Sequence, residues 1–162
     1  MATSSLLGFL LLLFLTIQIG DASSSKSTEQ RVAGSRVEIN VNGKTYSVTA
    51  GAVYKPEAEQ DCLNQGKQLI AFDEQGEYLA ILDALRNIGM ERHWYWTSAR
   101  RNKYSDVWYW ETGGALITEF FWIPGNPATD QLVDYCVSFR VDSGGWDDDP
   151  CENNFVLGHI CE

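Results

Sequence analysis

Seven acidic residues lie between Asp130 and Glu152, and a single base, Arg140, accompanies them. They are Asp130, Asp134, Asp142, Asp147, Asp148, Asp149 and Glu152. Carboxylates at this density repel one another unless a bound cation or exposure to water relieves the repulsion. Carboxylate oxygens are also the ligands that calcium prefers. This stretch is therefore the part of the chain best suited to cation chemistry.

Glycines, prolines and cysteines punctuate the same part of the chain. Turn-forming residues at six positions indicate irregular backbone rather than a long helix: Pro124, Gly125, Pro127, Gly144, Gly145 and Pro150. Three of the four cysteines also lie between Phe120 and Cys161. In a secreted chain, four cysteines imply two disulfides, for which three connectivities are possible. We expect the disulfides to hold a polar loop in place and this loop to do the binding.

The beginning of the chain has the features of a secretion signal. Leu6–Leu15 is an apolar run without a charge, and it is too short for a comfortable membrane span. Small residues follow at Gly20 and Ala22, so we predict a signal peptide over residues 1–22, with an uncleaved anchor as the alternative. Residues 23–38 are largely polar and predict a flexible segment. The mature protein is then secreted and extracellular, with one domain over residues 39–162.

Composition limits the classes of partner. The chain has 162 residues, of which 44% are hydrophobic and 12% aromatic, enough for one domain with a real core. The formal net charge is −10. A protein this acidic is a poor partner for nucleic acid or an anionic membrane. We therefore expect neither nucleic-acid binding nor membrane insertion.

A hairpin and a helix come first among the elements that position the acidic stretch. Val37–Val41 and Thr45–Thr49 alternate apolar and polar residues around an Asn-Gly pair, which predicts a β-hairpin. Pro56 then suits the start of a helix that Gly66 ends. On this helix Cys62 points inwards.

A second helix carries a clear apolar stripe. Gln68–Phe72 predicts a short strand, after which Asp73 can cap a helix that ends at Gly89. The apolar positions repeat with the helical period, which indicates core packing: Tyr78, Ile81, Leu82, Leu85 and Ile88.

Beyond Arg92 the pattern changes from helix to strand. Aromatic and β-branched residues predict strands at Trp94–Ser98, Trp108–Trp110, Leu116–Trp122, Tyr135–Val141 and Phe155–Cys161. Arg100, Arg101 and Lys103 form a basic run that we interpret as a solvated loop. Two helices followed by several short antiparallel strands predict an α+β fold.

Taken together, these residues resemble the C-type lectin-like domain over about Ile39 to Glu162. The resemblance rests on one cysteine of the first helix, three aromatic motifs and the last three cysteines: Cys62, Trp108-Tyr109-Trp110, Phe121-Trp122, Trp146-Asp147-Asp148, Cys136, Cys151 and Cys161. It implies an α+β domain of two helices and antiparallel sheets with a long irregular binding loop. It also implies the disulfides Cys62–Cys161 and Cys136–Cys151.

The same resemblance implies a calcium ion that ligates sugar hydroxyls. Its ligands in the family come from a polar-Pro-polar triplet, a later acid and an Asn-Asp pair. In this chain Asn126-Pro127-Ala128 occupies the triplet, and the family proline is usually cis. Asp134 stands in the place of the later acid, and Asp147-Asp148 in the place of the pair. The implied metal and sugar ligands are therefore Asn126, Asp134, Asp147 and Asp148.

Ala128 departs from the family pattern because its side chain offers no oxygen. Asn126-Pro127-Ala128 matches neither the mannose-type nor the galactose-type triplet of the family. Thr129 or Asp130 can replace the missing oxygen if the loop shifts. Otherwise the site binds calcium weakly or not at all.

Three functions follow as alternatives. The first is a secreted, calcium-dependent lectin that recognises glycans or glycoproteins on cells or microbes, as in innate immunity. The second is a calcium-independent, protein-binding domain of the same fold with a decayed calcium site. No collagen-like repeat or heptad run is present to multimerise either one.

Catalysis is the third and the least supported function. Asp134 and Asp148 are candidates for an acid–base pair, and His93 and His159 are the two histidines. His159 is interpreted as a structural histidine in a core strand, and Trp146 as a loop anchor in the core. No nucleophile elbow, zinc-type histidine pair or phosphate loop occurs. We therefore expect a binding protein and not an enzyme.

Overall fold

The computed structural model of the chain describes residues 34–72, 74–104, 106–128, 133–151 and 156–162. The predicted signal peptide and most of the predicted flexible segment lie outside the described residues. Thr129 and Asp130, the possible replacements for the missing oxygen, lie outside them too. In the described part, no helix is long and apolar enough to cross a membrane.

The described residues contain two helices and seven strands. In chain order they are β1 (Arg36–Val41), β2 (Lys44–Val53), α1 (Lys55–Asn64), α2 (Gln75–Asn87), β3 (Trp94–Arg101), β4 (Trp108–Trp110), β5 (Tyr135–Arg140), β6 (Gly145–Pro150) and β7 (Leu157–Cys161). The sheet order is β1-β2-β7-β3-β5-β6, and β4 pairs with β3. Strands β3 and β7 are parallel, and every other pair is antiparallel. The predicted α+β class is confirmed.

The predicted hairpin is present as β1 and β2. Its turn places Asn42 and Gly43 at positive φ, at 52° and 83°. These are the residue types that adopt such a conformation at low cost, and they occur in tight hairpin turns. Because β1 begins at Arg36, residues 36–38 belong to the sheet rather than to the predicted flexible segment.

The α2 helix buries four of the five residues of its predicted apolar stripe. Tyr78, Ile81, Leu82 and Leu85 are buried in the main hydrophobic core. The fifth, Ile88, is 41% exposed because it follows the helix as its C-cap. The predicted cap, Asp73, lies outside the described residues, and Glu74 occupies the N-cap position.

Two predicted strands do not form. The segment predicted as Leu116–Trp122 makes only isolated bridges, from Leu116 to Tyr109 and from Trp122 to Trp146. The segment predicted as Gln68–Phe72 makes one, between Leu69 and Cys161. Aromatic and β-branched residues fill the core from irregular backbone in these places, so their presence does not require a strand.

The acidic residues themselves form a strand that was not predicted. Asp147, Asp148 and Asp149 lie in β6, which pairs with β5 along its whole length. Acidic residues have low β propensity, so composition indicated a loop here. The antiparallel partner and the core side chain Trp146 determine the conformation instead.

Both disulfides have the pairing that the family resemblance implies. Cys62 joins α1 to Cys161 in β7 and closes a separation of 99 residues. Cys136 joins β5 to Cys151 just beyond β6, with a separation of 15 residues. A chain-entropy model assigns about 4.7 and about 3 kcal/mol to loops of these sizes. The second bridge fixes the end of the acidic strand.

Candidate functional site

The acidic strand β6 lies beside the irregular segment that precedes residue 128. The backbone N–H of Trp146 donates to the carbonyl of Phe121 over 2.7 Å, and the N–H of Ile123 donates to the carbonyl of Trp146 over 3.0 Å. The peptide bond between Asn126 and Pro127 is cis. The turn at residues 124–128 is therefore held against Asp147 and Asp148.

Hydrogen bonds join this turn directly to the two aspartates. The Asn126 amide Nδ2 donates to Asp147 Oδ1. The backbone N–H of Ala128 donates to both carboxylate oxygens of Asp148, over 2.9 and 3.0 Å. The structure thus brings three of the four predicted site residues together, and Ala128 supplies an N–H where the family pattern has an oxygen.

Asp134, the fourth predicted residue, has other partners. Its Oδ1 accepts from the backbone N–H of Lys103 over 2.8 Å, and its Oδ2 accepts from Arg100 Nη2 over 3.0 Å. The hydrogen bond from Lys103, followed by that from Arg100, lowers the pKa of Asp134 below its usual value. Asp134 is thus ionised and bound by protein donors.

A network of ion pairs extends from Asp134 to the first helix. Arg100 also pairs with Glu111 over 2.8 Å, and Glu111 and Glu59 both pair with Lys55. Lys55 is only 3% exposed. Burial opposes the ionisation of Glu111, but Lys55 and Arg100 keep its pKa below the usual value. We call these five residues the Arg100 network.

The prediction of a solvated basic loop at residues 100–103 is therefore partly wrong. Arg100 and Arg101 lie in β3, and Arg101 is buried and paired with Asp106 over 2.5 Å. Arginine buries its long apolar stem readily while its head stays paired, so the charge run alone did not indicate exposure. The charge run did not indicate that Arg100 pairs with Asp134 of the candidate site. The available signal was the predicted strand Trp94–Ser98, which the structure extends to Arg101.

The carboxylates of β6 have much less positive charge near them. Arg140 lies 3.7 Å from Asp147, and it also stacks on the Trp94 ring at 3.8 Å. Burial raises the pKa of Asp148 and of Asp149, and the neighbouring carboxylates raise both further. Among the described residues, no group forms a hydrogen bond of good geometry with the buried Asp149 Oδ2. Negative charge on this strand is costly, and a cation would relieve that cost.

The donor set suits calcium in chemistry, with fewer ligands than the family pattern. Asn126, Asp147 and Asp148 offer amide and carboxylate oxygens, the hard ligands that calcium takes. Within the described residues, Asp134 does not lie close enough to Asp147 and Asp148 for the three to share an ion. The group that does lie within 4.8 Å is Cys62, His159 and Cys161, and its two sulfurs form a disulfide.

The two residues interpreted as structural have that role. His159 is fully buried, and its Nε2 lies 2.7 Å from Asp61 Oδ2. Burial lowers the pKa of His159 despite this carboxylate. Trp146 is 1% exposed and packs among aromatic rings that anchor the loop in the core, those of Phe72, Tyr78, Trp110, Phe120, Phe121 and Trp122. Neither residue faces solvent as a catalyst or a stacking platform.

Comparison with known proteins identifies the family that this fold and site define. The family model for the lectin C-type domain matches residues 54–162. The chain therefore belongs to the C-type lectin domain family. A curated relative, C-type lectin domain family 4 member K of Mus musculus, is 28% identical over 109 residues, which are 65% of this chain. The chain spans 31% of that relative's length.

Solved structures share the fold at low sequence identity. Human lithostathine superposes with a TM-score of 0.65 at 22% identity, covering 76% of this chain and 94% of its own. A calcium-independent type II antifreeze protein gives 0.60 at 24%, covering 80% and 95%. The cow carbohydrate-recognition domain of CD23, solved in the presence of an oligosaccharide, gives 0.60 at 24%, covering 76% and 90%. The fold therefore occurs both in a calcium-independent protein and in a carbohydrate-recognition domain.

Proposed function

We propose that this protein is a secreted carbohydrate-binding lectin that recognises glycans or glycoproteins on cells or microbes, as innate-immunity lectins do. The binding surface is the turn at residues 126–128 together with Asp147 and Asp148. The observation that carries the proposal is the pair of contacts that joins them, from Asn126 to Asp147 and from Ala128 to Asp148. Amides and carboxylates held this way present donors and acceptors to sugar hydroxyls. The role is binding and not catalysis.

Calcium supports binding in this proposal. The residues that would hold the ion are Asn126, Asp147 and Asp148. When bound, calcium supplies coordination positions for two neighbouring sugar hydroxyls. Support comes from the raised pKa values of Asp148 and Asp149, because a cation offsets both their burial and their mutual repulsion.

Calcium affinity in this proposal is low. Ala128 contributes no side-chain oxygen, and its N–H occupies both oxygens of Asp148. Asp134 is bound by Lys103 and Arg100. With fewer charged ligands, a calcium site moves towards the weak range of extracellular modules, about 10⁻⁴–10⁻³ M.

A glycan array tests the proposal directly. The mature protein should bind a subset of glycans in about 5 mM calcium, well above the expected dissociation constant, and lose this binding in EGTA. Asp147→Asn should abolish the calcium-dependent signal. Asp83→Asn is the matched control, since Asp83 is largely exposed on α2 and lies far along the chain from the site. Binding that is unchanged in EGTA and in Asp147→Asn removes this site from the function.

The calcium-independent, protein-binding alternative is favoured by one specific observation. Both oxygens of Asp148 and both of Asp134 already accept hydrogen bonds from the protein. If the protein is calcium-independent, added calcium leaves the midpoint of thermal unfolding unchanged. A true site instead stabilises the fold by about 2.7 kcal/mol when calcium is a hundredfold above its dissociation constant.

Ala128→Asp separates the two functions further. If the triplet is aligned correctly, the new carboxylate adds a calcium ligand, and the calcium affinity measured by calorimetry rises. An unchanged affinity means that position 128 does not face the ion. Ala128→Val, which adds bulk without an oxygen, is the control.

A further inference from the structure

Two stacked aromatic rings precede the turn of the proposed calcium site. The rings of Phe120 and Trp122 lie 5.8 Å apart between centroids, and their planes are 12° from parallel. Trp122 is half-buried, and it meets the Trp108 and Trp146 rings edge-on at 4.9 and 5.8 Å. The core therefore holds Trp122 in place, and Phe120 is the outer ring of the stacked pair.

Phe120 presents a free ring face to solvent. It is 41% exposed, although its side chain is large and apolar. One face of its ring packs on Trp122, and Trp146 makes an edge contact at 6.5 Å. The exposed surface is therefore the face turned away from Trp122. The next residue behaves differently, because Phe121 stacks on Tyr78 of the core at 4.4 Å.

The backbone connects the stacked pair to the proposed calcium site. Trp122 forms an isolated parallel bridge with Trp146, the residue that precedes Asp147. The Asn126 N–H donates to the carbonyl of Ile123 over 3.1 Å. A turn closed in this way keeps the two Cα atoms within about 7 Å of each other. The stacked pair and the polar turn are thus consecutive parts of one segment.

The parallel bridge also sets the spacing between the free ring and the carboxylates. Asp148 lies two residues beyond Trp146 in β6, and Phe120 lies two residues before Trp122. Four residue steps of extended backbone span roughly 13 Å. A single sugar ring at Asp148 therefore does not reach Phe120, but a chain of linked sugars does.

The chemistry of the free ring selects the kind of sugar. An aromatic face carries partial negative charge and attracts the C–H groups on the apolar face of a pyranose ring. Glu119, beside Phe120, is exposed, and the chain has a net charge of −10. This charge disfavours an anionic sugar. The suitable partner is a pyranose unit without a negative charge.

The size of the free face also suits a sugar better than a protein. An aromatic side chain presents about 150–250 Å² in all, so the exposed part of Phe120 amounts to roughly 60–100 Å². A stable protein interface takes about 800 Å² from each partner. On the other side of the stacked pair, Pro124 and Gly125 are exposed and carry no aromatic ring.

We infer that Phe120, supported by Trp122, stacks on a further sugar unit of a glycan whose terminal unit is bound at Asp147 and Asp148. The inference rests on the proposed lectin function and specifies its ligand as an uncharged oligosaccharide rather than a single sugar. Linkage to the bound unit gives the further ring a high effective concentration, so a weak stacking contact is enough to raise the affinity.

Calorimetry with sugars of two lengths tests the inference in the mature protein. The single sugars are D-glucose, D-mannose, D-galactose and N-acetylglucosamine, and the longer probes are cellotriose, mannotriose, galactotriose and chitotriose. All are titrated in about 5 mM calcium, above the expected dissociation constant of the ion. We expect at least one trisaccharide to bind about five-fold more tightly than its own single sugar, as one aromatic contact provides.

Substitutions of Phe120 identify the source of this gain. Phe120→Ala should lower the trisaccharide affinity to that of the single sugar and leave the single-sugar affinity unchanged, which also shows that the variant is folded. Phe120→Tyr keeps the ring and should keep most of the gain, whereas Phe120→Leu keeps only apolar bulk and should lose it. Leu63→Ala is the matched control, because Leu63 is 60% exposed on α1.

Three results overturn the inference. They are equal affinities for every trisaccharide and its single sugar, a trisaccharide gain that survives Phe120→Ala, and a dimer in sedimentation that Phe120→Ala dissociates. The third result would assign the free ring to a second copy of the chain.

Failure of the proposed function gives a different pattern. In that case none of the probes binds in a calcium-dependent way, and Asp147→Asn changes nothing. Trisaccharide binding that requires Asp147 but is insensitive to Phe120→Ala contradicts only the stacking inference.

Discussion

The Arg100 network and the acidic strand β6 lie on either side of β5. Arg100 in β3 is opposite Cys136, and Cys136 is opposite Asp149 in β6. On the β3 side, two buried or half-buried cations, Lys55 and Arg100, separate three carboxylates. On the β6 side are three successive aspartates. Arg140 lies 3.7 Å from Asp147 and attracts Asp149, and Arg101 attracts Asp148.

The difference appears in the pKa directions. In the Arg100 network the pKa values of Glu111 and Asp134 are lowered, so their ionisation stabilises the fold. On β6 the pKa values of Asp148 and Asp149 are raised, so their ionisation opposes it. The same residue types are structural where the protein supplies cations. They are suited to an external cation where it does not.

The largest effect is expected from Lys55→Met, which breaks the Arg100 network at its buried cation. Glu59 and Glu111 lose a partner that is almost fully buried. Loss of one member of a buried pair costs about 3–5 kcal/mol, and the partial exposure of both glutamates reduces this to about 2 kcal/mol. Urea unfolding at pH 7 measures the change.

Lys103→Met is the matched control for that experiment. Lys103 contacts Asp134 through its backbone N–H, which the substitution keeps, and its exposed side chain adds a weaker charge attraction. A substitution there should change the free energy of unfolding by at most about 0.5 kcal/mol. Equal effects of the two variants would show that Lys55 acts through its apolar stem rather than its charge.

An effect of opposite sign is expected from Asp149→Asn on β6. Burial raises the pKa of Asp149 most, the Ser138 hydroxyl opposes this rise, and the charges of Asp147 and Asp148 add to it. A carboxyl with a raised folded pKa holds its proton more tightly in the folded state. Its ionisation therefore lowers stability as the pH rises above about 3.9, the pKa of an aspartate in the unfolded chain.

In EGTA, Asp149→Asn should raise the free energy of unfolding at pH 7 on the order of 1 kcal/mol. The gain should shrink as the pH falls towards about 4, where wild-type Asp149 is protonated as well. Thermal unfolding at several pH values checks this. A loss of stability at pH 7 would mean that the carboxylate has a partner, and Asp83→Asn controls for net charge.

The smallest effect on stability is expected from Arg100→Gln, which loosens Asp134. The Lys103 N–H remains, so the pKa of Asp134 should rise only part of the way to its usual value. The pairs of Arg100 are partly exposed, and their loss should cost less than about 1 kcal/mol. A carbon-detected titration of the Asp134 carboxyl measures the pKa, and no rise would show that Lys103 alone holds it.

Arg100→Gln also tests whether the Arg100 network keeps Asp134 away from the carboxylates of β6. If Arg100 restrains Asp134 from joining Asp147 and Asp148, Arg100→Gln should raise the affinity for calcium. An unchanged affinity would mean that Asp134 is structural, whatever the metal site does.

Local patterns predicted the parts of the fold that local interactions control. The hairpin followed from alternation around Asn42-Gly43, and the α2 stripe from its helical period. The strands at Leu116–Trp122 and Gln68–Phe72 were predicted wrongly, because aromatic and β-branched residues pack equally well from irregular backbone. β6 was missed because its acidic residues have low β propensity, although Gly144 and Gly145 mark the short turn that joins it to β5.

The candidate site shows the same division. Asn126, Asp147 and Asp148 were predicted from their alignment with a family pattern, and they lie together in the structure. Arg100 was interpreted as a solvated residue, since a charge run does not reveal the partners that a strand brings to it.

The sequence by itself determined the family, the hairpin, the helix periods and, through the family resemblance, the two cysteine pairs. These depend on residue types at set spacings. The tertiary structure alone decided which carboxylates are neutralised. The free energy of a charge depends on burial and on cations within a few ångströms, and those neighbours come from distant parts of the chain. Asp134 and Asp149 are only 15 residues apart, yet the fold lowers the pKa of one and raises that of the other.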